Sequence, residues 1–393
     1  MLDVVVVGGG GHVGLPLALA FADRGLRTVS YDINADTVAR VSAGQMPFSE
    51  DGAEPVLARV LADNRFSITA DPSVIADADT VVVVVGTPVD EHLNPDPDAV
   101  IAAVRQLVPS LRPNQLLVLR STVYPGVTRQ VIKFLDEEVP GIQVAFCPER
   151  IAQGRAMTEL FTLPQIVGSD DDATAERAGA LFKVLSPSIV VTSPEEAELA
   201  KLFTNVWRYV KFAAANQFYM MANDVGVDFD RVRQALAQDY PRASDMPGAG
   251  FAAGPCLLKD TLQLAAFEDN RFALGHAAMM VNEGLPLYLV KRLERMVDLR
   301  STTVGILGMS FKPGTDDPRA SLSYKLRKIL AFRAAAVLCT DPLVDDDRLV
   351  PLERVLAESD VLIIGTPHEE YRDLAVSVPV VDVWNLRGEG VRV

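Results

Sequence analysis

Residues 3–25 read DVVVVGGGGHVGLPLALAFADRG. The unbroken valine run predicts a strand buried on both faces, as in a parallel sheet. A glycine turn follows, and GLPLALAFADRG then reads as an apolar helix. Within the turn, Gly9, Gly11 and Gly14 form G-x-G-x-x-G around His12 and Val13. The first glycine permits a tight turn, the second lets a pyrophosphate approach the backbone, and the third lets helix and strand pack closely. The spacing alone is a weak sign, because a glycine-rich turn in a nucleotide-free α/β domain has the same look. Asp32 strengthens it. It ends the next strand pattern, LRTVSYD, where a carboxylate would bind a ribose 2′-OH. No arginine follows directly, so NAD is expected over NADP.

Outward from this unit the pattern repeats. DTVVVVVGTP, LLVLRST and QVAFCPE read as further buried strands, and NPDPDAVIAAVRQLVPSL reads as an intervening helix. Alternating strands and helices predict a doubly wound α/β domain. Between about Ser193 and Arg300 the strand signal vanishes. Two long helical runs take its place, the second with a kink expected at Gly284 and Pro286. From Ser301 the opening plan returns: VGILGMS echoes the first strand, AVLCTDP ends in Asp341 as its counterpart ends in Asp32, and SDVLIIGTP echoes DTVVVVVGTP. The expected fold is α/β, with two Rossmann-like doubly wound domains joined by a central helical segment. The expected boundaries are 1–195, 196–300 and 301–393, with the ligand cleft where strand C-termini face each other. The helical block is a candidate dimerisation core, although long helices also serve as ordinary linkers.

The chain has 393 residues and a formal net charge of −15. That charge argues against nucleic-acid or anionic-membrane partners, while leaving room for an anionic ligand in a cleft lined by a few basic residues. Three cysteines, Cys147, Cys256 and Cys339, stand far apart, which excludes a disulfide scaffold and speaks against a zinc site. The N-terminal apolar run is too short for a membrane span and lacks a basic flank, so a cytoplasmic protein is expected.

The second informative stretch is GFAAGPCLLKD, residues 250–260. It follows a Pro-Gly-rich loop and predicts a helix opening just after Cys256. A helix N-terminus favours a thiolate. Lys259 adds to that field, and Asp260 lies one turn on, along the same face. A nucleophilic sulfur beside a base suits covalent acyl chemistry. The alternative is a small cysteine buried in a loop.

Other candidates stand at strand ends: Thr87-Pro88, Ser121-Thr122 and Pro148-Glu149. Such positions build sites in this fold, yet Thr-Pro and Ser-Thr also simply terminate strands. Glu149, shielded at the edge of a cleft, would suit a base. Glu198, Lys201 and Asn205 share one helical face, where a solvated ion pair is the commoner outcome. Histidine is scarce, and none of the four has a general base's context. Cysteine, lysine, aspartate and glutamate together suit oxidation through a thioester.

The motifs GGGGHVGLPLA, VGTP, RSTVYPG, PERIAQG, ELAKLFTN, GPCLLKD and GMSFKPGTDDPRAS, in this order, resemble those of the UDP-glucose/GDP-mannose dehydrogenase family. The resemblance spans nearly the whole chain. It implies a dimer whose C-terminal domain binds a nucleotide sugar, and oxidation of C6 of a nucleotide hexose to the carboxylate with two NAD. Cys256 would then trap the aldehyde and carry the thioester. Lys201 would stabilise the oxyanion, assisted by Asn205. Asp260 and Glu149 would position or activate water, with Thr122 ordering it. Thr87 and Ser121 would lie along the cofactor. The loop 250–254, including Gly250, Phe251 and Gly254, would wrap the sugar nucleotide. Lys312 and Arg319 would add positive charge from the C-terminal domain. Arg242 matches a family arginine that can reach a neighbouring subunit's sugar site. The chain departs from the glucose-type pattern in reading ERIAQG rather than an EFLREG-like string, which is more like enzymes of N-acetylated or unusual hexoses. It also reads GFAAGPC where GFGGxC is frequent, with Ala253 in place of a glycine. UDP-glucose is the first substrate expected, dTDP-glucose a close variant and UDP-N-acetylmannosamine the alternative. A non-catalytic nucleotide-sugar binder would be signalled by loss of Cys256, Lys201 or Asp260, and all three are present.

Overall fold

The computed structural model describes residues 2–87, 96, 98–391 and 393. Pro88, and Asn94, Pro95 and Pro97 of the expected helix start, lie outside the described residues. Contacts divide the chain into two compact units, Met1–Thr204 and Asn205–Val393.

The first unit is built on one sheet. Its strands are β1 (Leu2–Val7), β2 (Thr28–Tyr31), β3 (Phe66–Thr69), β4 (Ala78–Val83), β5 (Leu116–Leu119), β6 (Gln143–Phe146), β7 (Gln165–Gly168) and β8 (Ile189–Thr192). Their order is β3-β2-β1-β4-β5-β6-β7-β8. The first six follow the doubly wound 3-2-1-4-5-6 arrangement, which places a crevice beyond the C-termini of β1 and β4. Among the described residues the sheet's strand pairs are parallel except β6–β7, which is antiparallel. The valines of β1 explain the buried run. Val4 and Val6 enter one apolar core, and Val5 and Val7 enter another on the opposite face. The strands expected in this half are all present, and β3, β7 and β8 are additional.

The second unit carries a four-stranded parallel sheet, β9 (Thr303–Leu307), β10 (Ala336–Thr340), β11 (Val361–Ile364) and β12 (Val380–Val381), in the order β10-β9-β11-β12. The echo of the N-terminal plan is therefore real at the level of topology. Ala215, Tyr219, Leu285, Leu289 and Leu293 of the helical region share one core with Val304, Ile306 and Ile363 of this sheet. The Pro194–Asp224 helix starts in the first unit and ends in the second. The second long helix runs continuously over Ala273–Leu293, with Pro286 buried inside it at the point where the kink is expected. Among the described residues, no helix is long and apolar enough to cross a membrane.

Candidate active site

The glycine turn is shaped as its spacing predicts. Gly8 ends β1 with φ +74°, and a Cβ there would lie 2.0 Å from the Val84 carbonyl oxygen. A Cβ on Gly14 would meet the Gly8 oxygen at 2.3 Å, so helix and strand touch backbone to backbone. At Gly11 the nearest such atom is 3.6 Å away, which leaves its outer side open for a phosphate. The Gly14–Asp23 helix starts there without a side-chain cap; Leu15 N already donates to the Gly11 carbonyl at 3.0 Å and Pro16 has no N–H, so the positive end of the helix, more than a set of free donors, faces an anion. Asp32 follows β2. Its Oδ2 accepts from Gly10 N at 2.8 Å and its Oδ1 from Asn34 N at 2.9 Å. These residues fit NAD: an open backbone cradle for pyrophosphate, and a half-buried carboxylate beside it for a ribose. His12 stacks on Phe48 at 4.0 Å and meets Gln153 Nε2 through Nδ1 at 3.2 Å.

The strand ends divide. Ser121 spends its hydroxyl on Val85, giving to the carbonyl and accepting from the N–H, both at 2.8 Å, which ties the ends of β4 and β5. Thr87 is buried and Thr122 half-buried. Glu149 is buried, but its surroundings are not the apolar pocket that would suit a base. Its neighbour is Arg120, whose Nε lies 2.9 Å from Glu149 Oε2. Arg120 opens the RSTVYPG motif, and sequence reasoning gave it no role. Its burial shows only in the structure, where the side chain has no exposed surface.

On the Pro194–Asp224 helix, Glu198 does not pair with Lys201. Its fully buried carboxylate caps the Val127–Glu138 helix, accepting from Gly126 N at 2.6 Å and Thr128 N at 2.8 Å. Burial pushes its pKa up, against those bonds. Lys201, freed of that partner, is only 8% exposed. Among the described residues, neither a hydrogen bond nor an ion pair engages its ammonium. A buried cation without a counter-charge is costly, so such a group points to an anionic ligand.

In the second unit, Cys256 is the exposed residue at the N-cap of the Leu257–Phe267 helix, as its sequence context predicts. Asp260 sits in that helix's first turn with no exposed surface. Its Oδ2 accepts from Asn205 Nδ2 at 2.5 Å, and Lys259 Nζ stands 3.2 Å from its Oδ1. That pair lacks hydrogen-bond geometry, so Oδ1 is a buried acceptor with no hydrogen bond. The loop before Cys256 is largely buried. Gly250 is held by both amide atoms of Asn216, at 2.9 and 3.0 Å. Phe251 packs edge-on against Trp384 at 6.2 Å, so its ring belongs to the core. Gly250 (φ +146°) and Gly254 (φ +107°) face Trp384 and Phe311 so closely that a Cβ would fall 2.2 and 2.6 Å from the rings. Arg319 forks onto Asp317, and those hydrogen bonds raise its pKa against the effect of burial. Lys312 is half-buried in the same unit. Arg242 stands apart, exposed and stacked on Tyr240 at 5.4 Å. Among the described residues, no group of three metal-ligating side chains forms.

Dinucleotide sheet, open glycine cradle and helix-borne thiol together define an NAD-linked oxidoreductase. The particular family follows from its models, which match an NAD binding domain over residues 3–186, a central domain over 195–284 and a UDP binding domain over 305–387. The chain belongs to the UDP-glucose/GDP-mannose dehydrogenase family, and NAD is its cofactor. It is similar to UDP-N-acetyl-D-mannosamine dehydrogenase of Yersinia pestis, 29% identical with 94% of each chain covered. Among solved structures it resembles a UDP-glucose dehydrogenase from Pyrobaculum islandicum, with TM-score 0.91 and 32% identity, covering 100% of this chain and 97% of that one. It also resembles UDP-D-ManNAc dehydrogenase from Pyrococcus horikoshii, with TM-score 0.91 and 27% identity, covering 99% and 97%.

Proposed function

We propose that this dehydrogenase oxidises C6 of a UDP-hexose twice, from alcohol to carboxylate, through a covalent intermediate on Cys256. The observation that carries the reading is an exposed thiol at a helix N-terminus whose first turn buries Asp260 against Asn205. NAD, two molecules per sugar, would supply the hydride acceptor when bound. Gly9, Gly11, His12, Val13, Gly14 and Asp32 would hold it, with Thr87, Ser121, Lys259 and Arg319 alongside. The chain's own residues do the rest. Asp260, through water at its unsatisfied Oδ1, receives the proton leaving the C6 hydroxyl. Cys256 adds to the resulting aldehyde and makes C6 tetrahedral, a competent donor for the second oxidation. Lys201 and Asn205 stabilise the oxygen anion at that carbon. The thioester left on Cys256 is opened by water that Thr122, Asp260 and Glu149 orient, which releases the carboxylate and the thiolate.

The loop 250–254, Lys312 and Arg242 are assigned to the sugar nucleotide. The division of labour proposed is cofactor in 1–195, dimerisation in 196–300 and nucleotide sugar in 301–393. The homodimer reading draws on Trp207, Phe218 and Met221 of the long helix and Met280 of the next, all large apolar residues exposed in the single chain.

Two sugars compete. ERIAQG and the Yersinia and Pyrococcus relatives support UDP-N-acetylmannosamine. UDP-glucose keeps the support of the Pyrobaculum structure. The deciding experiment is NADH formed per sugar nucleotide consumed, across UDP-N-acetylmannosamine, UDP-glucose, dTDP-glucose and GDP-mannose. Two NADH per sugar on one of them is expected, and identifies the hexose. A yield of one, or none on all four, would sink the thioester reading; no turnover combined with tight binding would mark a silent binder.

A further inference from the structure

The buried arginine beside Glu149 has no part in the chemistry above. We infer that Arg120 is a positioning residue, which fixes the Glu149 carboxylate and, through it, the start of the ERIAQG loop. This rests on the reading that Glu149 faces the reacting sugar.

Arg120 follows β5, and its side chain has no exposed surface. Its Nε and Nη2 both donate to Glu149 Oε2, at 2.9 and 2.5 Å. Nη1 donates to the Cys147 carbonyl at 3.0 Å, and Nη2 also to Gln165 Oε1 at 3.1 Å. The Phe182 ring lies 4.7 Å from the guanidinium carbon. One planar fork is thus anchored to the ends of β5, β6 and β7, which a lysine's single nitrogen could not reproduce.

The carboxylate's other oxygen looks along the chain. Oε1 accepts from Arg150 N at 2.7 Å and Ile151 N at 3.0 Å. A carboxylate offers about four acceptor directions. Four donors occupy them here, so the group cannot turn without losing a bond. The loop's far end is held in the same manner: Gly154 N and Ala156 N donate to the buried Glu50 carboxylate, both at 2.7 Å. Filled in this way, Glu149 could take a proton only by releasing a donor. A sugar hydroxyl or a water could bond it only on the same terms, so its part in ordering the site is to hold the loop in place, and proton transfer falls to Asp260, which has an unsatisfied oxygen. Buried ion pairs seldom add stability over an apolar pair of equal volume, so placement is the better account of this one.

The test uses the full chain with Arg120→Lys and Gln165→Leu, which removes one anchor of the fork from outside the ion pair, alongside Glu149→Gln. Melting temperature, calorimetric affinity for NAD and for the sugar nucleotide, and steady-state constants are measured on each. The expected result for Arg120→Lys is near-parental melting and NAD affinity with kcat lower by about 100-fold. For Gln165→Leu the same pattern is expected, at about 10-fold. Parental kcat in both, or a parallel loss of melting temperature and NAD affinity, would overturn the inference. If Glu149→Gln retains full activity, the reading of Glu149 itself fails; if Glu149→Gln is impaired while both other variants are parental, only Arg120's role fails.

Discussion

At the scale of single residues, the three cysteines differ by environment rather than by chemistry. Cys147 and Cys339 are buried, and burial pushes their thiols up to about 12 and about 11. Cys256 is exposed at a helix N-terminus. Iodoacetamide on the native protein should therefore alkylate Cys256 well before the other two, and sugar nucleotide should slow it. Peptide mapping that finds equal labelling at all three would refute a site-specific nucleophile. Lys201→Met should lower kcat by about 100–1000-fold while leaving NAD affinity near parental, as calorimetry would report, if its ammonium, without a partner among the described residues, serves the reaction's anion as proposed. That Lys201 and Asn205 share one helix, and that Asp260 lies in the first turn of the helix opened by Cys256, was legible in the sequence, because spacing along a helix sets which side chains share a turn. Arg120 was not, since its partners lie 27 to 45 residues away and meet only across the sheet. Glu198 was misread for the same reason: its neighbour in helical register is Lys201, but its partners are the first N–H groups of another helix, 70 and 72 residues distant.

At the scale of elements, the two Rossmann-like sheets end their second strands in an aspartate that behaves differently. Asp32 accepts two backbone bonds and stays half-buried. Asp341, after β10, accepts from Met309 N, Ser310 N, Leu343 N and Val344 N and meets His368 Nε2 at 3.1 Å. Burial alone would raise its pKa, but the bonds from His368 and the backbone outweigh burial and lower it well below the usual carboxylate range. The carboxylate is a staple across the turns after β9 and β10. Asp341→Asn should destabilise the second unit by about 2–4 kcal/mol at pH 7. A depressed folded pKa contributes stability that is present above the unfolded value and lost as pH falls toward the folded one. The deficit of Asp341→Asn should thus shrink below about pH 4, which denaturant melts across pH would register; a deficit independent of pH would contradict the staple. The echo of the two halves was visible in AVLCTDP, whereas the changed duty of its aspartate was not. Strands β3, β7 and β8 escaped notice because none writes a long apolar run: β3 alternates buried and less buried residues, β7 has only Ile166 and Val167 between Gln165 and Gly168, and β8 leaves Val190 and Val191 exposed.

At the scale of the whole molecule, the N-terminal sheet and the return of its plan after Ser301 were both readable, because buried parallel strands write continuous apolar runs. What composition could not convey is that the central helices share a core with the C-terminal sheet. The exposed apolar residues of those helices carry the prediction for assembly. Trp207→Glu combined with Phe218→Glu should convert a two-chain mass into a one-chain mass in light scattering, with the melting transition retained. An unchanged mass would exclude this face as the dimer contact. The loop leading to Cys256 has a consequence for descent as well. Gly250 lies against Trp384, and Gly254 against Phe311. Both glycines also stand at positive φ, so losing either ring would still leave a strained backbone for any side chain. Diverging lineages should therefore keep both glycines whatever becomes of the rings, and for reasons of backbone shape more than of sugar.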